Sequence, residues 1–193
     1  MDSEVILQAL YYIGKKIDRP VDKITALKII YFADRYHLRK YARMITDDKY
    51  YAMEFGPVAS FTKDVLVQND FTCSEKDKEY IKSFIKINKD QYTPVPKELD
   101  LDMLSESDTE ALDFAIEKIF KSYCKENKWK MKDLTHQYPE WKKFEKTIES
   151  GDAKREDMDI RDFFDNPVDL KDDPFQVIPD KLVKLSKELF FEC

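Results

Sequence analysis

Apolar residues recur at intervals of three and four over several stretches of the chain, which is the period of an amphipathic α-helix. The first stretch covers residues 3–18, and the second covers residues 24–43. In the second stretch one polar residue interrupts an otherwise apolar stripe, which consists of Leu27, Ile30, Tyr31, Asp34, Leu38 and Tyr41. The same period predicts further helices at residues 57–68, 107–127, 130–137, 139–150 and 179–191.

Two segments alternate between apolar and polar residues and therefore predict β-structure. Residues 48–55 predict a short strand or an extended connection, which ends at the corner Gly56-Pro57. Pro57 fits the first position of the following helix, because the N–H at that position has no partner within the helix and proline lacks one. Residues 79–96 predict a β-hairpin, with its second arm at a sheet edge because that arm contains two prolines.

A capping box gives the clearest start of a helix, since Ser107 and Glu110 stand three positions apart ahead of an apolar run. Together these elements predict a mainly α fold with a small β-hairpin or sheet (α+β). A chain of 193 residues is long enough for one domain and an appendage. We expect a compact helical domain at residues 1–150, with residues 151–193 as an acidic extension and C-terminal helix packed on it or appended to it.

The negative charge is concentrated in one segment. Residues 151–173 contain nine Asp or Glu against four Lys or Arg, whereas the whole chain carries a net charge of −6. Such a stretch is either a solvated linker or a surface that attracts a basic protein, and it disfavours binding to nucleic acid.

Composition excludes several functional classes. Only three glycines occur, so a phosphate-binding loop is not indicated. Three widely spaced cysteines and two histidines predict neither a disulfide framework nor a metal site, and no cofactor is expected. The sequence shows no signal peptide or membrane-spanning run, so we expect a cytoplasmic protein with no membrane partner.

An ordered series of short blocks resembles the Panacea domain of SocA-like antitoxins, which also occurs in phage-associated, GepA-like proteins. The blocks are Leu27-Lys28, Tyr31-Phe32-Ala33-Asp34, His37-Leu38, Tyr41, Ile45-Thr46, Tyr51-Ala52, Gly56-Pro57-Val58, Leu134-Thr135-His136, Pro139 and Trp141. They lie within residues 24–141, whereas the step Ala42-Arg43-Met44 departs from the Gly-Arg-Pro type of turn expected there.

The resemblance implies a non-enzymatic antitoxin in a toxin–antitoxin system. Its partner would be a cognate toxin, encoded adjacently and neutralised by direct binding. One alternative is an adaptor that delivers the toxin to a protease. A second alternative is a DNA-binding autoregulator, for which Lys28 and Lys40 would join the arginines of the second helix in a basic face.

Five residues are predicted to contact the partner, because arginine and aromatic side chains provide much of the binding energy at interfaces. They are Arg35, Arg39, Arg43, Tyr51 and Phe55. Six others are predicted to shape the fold: Asp34, His37, Gly56, Pro57, His136 and Trp141.

Asp34 and His37 are three positions apart on one helical face, so an acid–base pair is an alternative. No nucleophile motif accompanies them, and we therefore predict no catalytic residue.

Overall fold

The computed structural model describes residues 3–124, 127 and 129–192. Its α-helices are α1 (Ser3–Ile17), α2 (Lys23–Tyr41), α3 (Ser60–Val67), α4 (Glu75–Lys82), α5 (Glu106–Phe114), α6 (Trp129–Thr135), α7 (Pro139–Lys142), α8 (Glu145–Glu149) and α9 (Asp180–Glu192). A π-helix (Ala115–Cys124) continues α5, and two 3-10 helices cover Ile160–Phe164 and Pro174–Val177. The strands are β1 (Val21–Asp22), β2 (Tyr50–Met53), β3 (Gly56–Ala59), β4 (Ile85–Ile87), β5 (Gln91–Pro94) and β6 (Glu156–Asp157). The predicted mainly α fold with a small β component is confirmed.

Helix α2 runs through the centre of the molecule. Every residue from 25 to 39 is buried, and α5, α9, β3 and the π-helix pack around it. Asp22 caps the start of α2 by accepting hydrogen bonds from the N–H groups of Ile24 and Thr25, and Ala42 ends the helix in the left-handed conformation. The prediction of a single buried stripe is wrong, because α2 is covered on all sides and its polar residues need partners inside the fold.

Strands form two antiparallel sheets, in the orders β1–β5–β4 and β3–β2–β6. The predicted hairpin forms between β4 and β5, but residues 79–82, its predicted start, belong to α4, where Ser74 and Asp77 form a capping box. The prediction that Pro57 starts a helix is also wrong, since Pro57 lies in β3 opposite Ala52 and α3 begins at Ser60. A proline is tolerated there because β3 is an edge strand.

The helix predicted from the capping box starts two residues earlier than expected. Its cap is Ser105, whose hydroxyl accepts from the N–H of Asp108 while the Asp108 carboxylate accepts from the N–H of Ser105. The predicted end of this helix near Asn127 adjoins residues 125, 126 and 128, which lie outside the described residues.

Part of the acidic stretch is packed against the helical body. Strand β6 pairs with β2, with Asp157 opposite Tyr51. The 3-10 helix that follows buries Phe163 and Phe164. Helix α9 then packs against α2. The end of the acidic stretch therefore lies between the buried Phe163 and Phe164 on one side and α9 on the other.

Candidate functional site

Asp34 organises the chain segment that follows α2. Its Oδ1 accepts from the backbone N–H groups of Ile45 (2.8 Å) and Thr46 (3.1 Å). Its Oδ2 accepts from the hydroxyls of Thr46 (2.5 Å) and Tyr50 (2.7 Å). Burial raises the pKa of Asp34 to about 6, even though these hydrogen bonds act in the opposite direction. Four donors therefore occupy the carboxylate, and its role in the fold is to fix the loop between α2 and β2.

His37 uses different partners. Its Nδ1 lies 2.8 Å from the carbonyl oxygen of Arg43, which can only accept, so Nδ1 carries a hydrogen. Its Nε2 lies 2.9 Å from the Ser107 hydroxyl and 3.1 Å from a carboxylate oxygen of Asp108. Burial lowers the pKa of His37. The ring thus ties the end of α2 to the start of α5, and within the described residues its recorded hydrogen bonds do not include one to Asp34.

Arg35 and Arg39 are not on the surface, which corrects the prediction that they form a flank facing a partner. Both side chains are buried. Arg35 binds Glu140 (3.0 Å) and the carbonyl oxygens of Phe163 and Asp165. Arg39 binds the Phe164 carbonyl oxygen at 2.5 Å, and also the Asn166 side chain. We call this set the arginine clamp, because it holds residues 163–166 against α2.

The other three predicted contact residues lie in three different neighbourhoods. Arg43 is half exposed and lies 2.9 Å from a carboxylate oxygen of Asp108. The ring of Tyr51 is half buried, and the cationic groups of Lys49 and Arg155 lie 4.9 and 4.8 Å from its centroid. Phe55 is 42% exposed at the turn between β2 and β3. Of the five, Phe55 alone lines a large surface groove, described next.

A tight corner joins that turn to α2, α6 and α7. Gly56 has a φ of +90°, and a Cβ there would lie 2.3 Å from the Thr135 hydroxyl oxygen. The Lys28 ammonium donates to the Pro57 carbonyl oxygen at 2.6 Å. The Trp141 indole N–H donates to the Met53 carbonyl oxygen at 2.9 Å. Each side chain crosses from a helix to the hairpin backbone, so these contacts position the β2–β3 turn.

His136 extends the corner by stacking on Trp141, with ring centroids 3.4 Å apart and the planes inclined by 13°. Its Nε2 is buried and has no hydrogen-bond partner within the described structure. Burial lowers the pKa of His136 to about 3, and the nearby ammonium groups of Lys132 and Lys28 act in the same direction. The ring is therefore neutral at physiological pH.

Beside the corner lies a groove of about 950 Å³, which we call the hairpin groove. It is bounded by the start of α2, the β2–β3 turn, α3, α6, α8 and the residues after α8. Its apolar lining residues are Ile24, Leu27, Met53, Phe55, Val58, Val67, Ile148 and Ala153. At its rim the Phe55 ring lies 5.6 Å from that of Trp129, which is 41% exposed. Two exposed aromatic rings beside an apolar groove are typical of a surface that binds another protein.

Residues 27–142 match the family model described as antitoxin SocA-like, Panacea domain. The chain belongs to this family. The resemblance seen in the sequence blocks is therefore confirmed. The comparisons with curated proteins and with solved structures found no match. The family description indicates an antitoxin-like function, and with it a toxin as the general class of partner.

The matched range includes most of α2, the β2–β3 hairpin and α6–α7, so the corner and most of the hairpin groove belong to the Panacea domain. Within the described part of the chain, no group of three His, Cys, Asp or Glu side chains is placed to hold a metal ion. In the same part, no helix has the length and apolar character needed to cross a membrane. Cys73 is buried and its thiol forms no disulfide. Cys193 and the Cys124 side chain lie outside the part of the chain that the structure describes.

Several groove residues were not predicted from the sequence. Trp129, at the groove rim, and Lys132, in its lining, precede His136 by seven and four positions, and only the fold of α6 brings them beside Phe55 and Lys28. A helical period over residues 129–136 would place Trp129, Lys132 and His136 on one face, which is the one local signal for this site.

Replacing Gly56 with alanine tests the corner of this Panacea domain. We expect a loss of about 2–3 kcal/mol in the free energy of unfolding, because alanine is strained at positive φ and its Cβ would meet Thr135. Chemical denaturation measures the loss. Gly151→Ala is the matched control, since Gly151 has a φ of +79° but no atom within 4 Å of the added Cβ. Equal losses in the two variants would contradict a tight corner at Gly56.

Proposed function

We propose that this chain is an antitoxin that neutralises a cognate toxin by binding it directly. The observation that carries the proposal is the match of residues 27–142 to the SocA-like antitoxin family. The hairpin groove supports it, because Phe55 and Trp129 are exposed aromatic rings of the kind that dominate binding energy at protein interfaces. Neutralisation by binding requires no reaction centre in this chain.

In this proposal the toxin is encoded beside the antitoxin, and the two meet in the cytoplasm. DNA binding is the weaker alternative, since three of the basic side chains that suggested it, Lys28, Arg35 and Arg39, are buried. Lys40 is engaged by Glu110. The exposed positive surface of α2 is therefore much smaller than its sequence suggests.

Co-expression with the product of the neighbouring reading frame tests the proposed function. We expect growth arrest by that product alone, growth when both proteins are made, and a complex that co-purifies. Continued arrest with soluble antitoxin present would contradict neutralisation. Toxin abundance over time separates direct blocking, which leaves the toxin level unchanged, from delivery to a protease, which lowers it only when the protease is present.

The contribution of the groove is tested by Phe55→Ser. We expect toxin affinity to fall about 30-fold, which corresponds to roughly 2 kcal/mol for the loss of an aromatic anchor. Calorimetric titration measures the affinity, and an unchanged melting temperature shows that the variant is folded. Phe71→Ser is the control, because Phe71 is fully exposed and does not line the groove. A similar affinity for both variants would move the interface away from the groove.

A further inference from the structure

The floor of the hairpin groove carries basic groups that the fold leaves incompletely paired. Lys28 is 2% exposed, yet it lines the groove. An ammonium group has three donors, whereas the recorded hydrogen bond of Lys28 is the one to the Pro57 carbonyl oxygen. Burial, and secondarily the charge of Lys132, lowers the pKa of Lys28 to about 7. An anion that reaches the Lys28 ammonium would therefore stabilise its charged form, which burial disfavours.

Two further groups line the groove together with Lys28. The His136 ring lines the same groove, with its buried Nε2 unpartnered within the described residues. The Lys132 ammonium, whose side chain is 27% exposed, lies 3.7 Å from Asp133, a largely solvated carboxylate. A salt bridge of that kind is weak and easily exchanged. The Lys28 and Lys132 ammonium groups can therefore donate to a negatively charged oxygen, and so can His136 in the tautomer that carries its hydrogen on Nε2.

The charge of the whole groove agrees with that of its floor. Its basic lining residues are Lys23, Lys28, Lys63, Lys132 and Lys154. They face two acidic lining residues, Glu54 and Glu149. This excess is opposite to the net charge of −6 on the chain, so the groove is a basic site on an acidic protein.

We propose that the floor formed by Lys28, Lys132 and His136 binds the carboxylate of an Asp or Glu side chain of the toxin, while apolar neighbours of that side chain pack on the groove walls. The proposal rests on the proposed function and names which surface of this chain the toxin occupies. A single carboxylate fills a small part of about 950 Å³, and the rest of the lining is largely apolar. A polypeptide segment satisfies both the floor and the walls, whereas a free small anion satisfies only the floor.

The first arm of the test uses the antitoxin alone, with sodium acetate as the carboxylate probe at constant ionic strength. We expect a saturable NMR shift of the Lys28 ε-methylene signal and an upward shift of the Lys28 pKa. Lys132→Gln should weaken acetate binding several-fold, whereas Lys86→Gln, which removes the same charge from an exposed strand position outside the groove, should not. The absence of a saturable shift in the wild-type protein overturns the anion site, whatever the toxin does.

The second arm measures toxin affinity. We expect Lys132→Gln to weaken the complex about 10-fold, and His136→Phe, which keeps the stack on Trp141, to weaken it several-fold. Lys86→Gln should bind as the wild type does. If acetate binds but these variants keep full toxin affinity, the site serves a free anion and the toxin carboxylate is overturned as its occupant. If wild-type protein fails to bind the toxin, the proposed function and this occupant fall together, while the acetate result still decides whether the anion site exists.

Discussion

Replacing Asp34 with alanine is expected to lower the free energy of unfolding by about 3–5 kcal/mol, because buried donors that lose their only acceptor each carry a desolvation penalty. The donors are the N–H groups of Ile45 and Thr46 and the hydroxyls of Thr46 and Tyr50. Tyr50 is itself fully buried, so water cannot replace the lost carboxylate there without rearrangement. Chemical denaturation monitored by tryptophan fluorescence measures the loss.

Two further variants make this result specific. Asp34→Asn keeps an oxygen for the two backbone N–H groups and should lose less than half as much as the alanine variant. Asp100→Ala removes an exposed carboxylate and should change the free energy of unfolding by less than about 0.5 kcal/mol. An alanine variant as stable as Asp100→Ala would mean that the loop after α2 does not depend on Asp34.

The position of α2 could be predicted because the signals for a helix are local. The apolar period placed it at residues 24–43, and the structure gives Lys23–Tyr41. Its burial on all sides could not be predicted, because the acceptors for Arg35 and Arg39 lie more than 100 positions away and include backbone carbonyl oxygens. A basic residue with no acidic residue nearby in the sequence is expected to be exposed, whereas Arg35 and Arg39 are buried.

The start of α5 shows how tertiary contacts select between two equivalent local signals. Ser105 with Asp108 and Ser107 with Glu110 both have the spacing of a capping box. The second pair is committed elsewhere, since the Ser107 hydroxyl bonds His37 and the Glu110 carboxylate accepts from Tyr36 at 2.7 Å. The first pair caps the helix, and the Asp108 carboxylate binds Arg43 at the same time. The sequence alone contains no basis for that choice.

The candidate site was predicted in its parts and not in its arrangement. The Gly56-Pro57 block and the His136 and Trp141 block were expected to shape the fold, and in the structure the Trp141 indole N–H donates to the hairpin backbone. The groove beside them includes Lys28, whose ammonium donates to the carbonyl oxygen of Pro57, 29 positions further along the sequence. Such a contact has no periodic signature, so a surface formed by it is visible only in the folded chain.

Replacing Arg35 with methionine is expected to cost about 3–5 kcal/mol, because it leaves the Glu140 carboxylate buried without its counter-ion. Both side chains of this pair are fully buried, and the Tyr31 hydroxyl donates to the same Glu140 oxygen at 2.6 Å. The double variant Arg35→Met/Glu140→Leu removes both charges and should recover most of that loss. Thermal and chemical unfolding of the two single variants and the double variant complete the cycle.

The same variants separate the ion pair from the arginine clamp. Arg35 also holds the carbonyl oxygens of Phe163 and Asp165, and the double variant does not restore those contacts. Trypsin should therefore cleave after Arg161, an exposed side chain beside the clamp, faster in both Arg35 variants than in the wild type. Lys187→Gln, which removes a surface contact to Asp165 at 2.9 Å, is the control and should leave the rate unchanged. If the double variant recovers stability but is still cleaved faster by trypsin, the guanidinium anchors the acidic segment to α2 separately from the ion pair. If the double variant is cleaved no faster than the wild type, Arg35 has no such anchoring role.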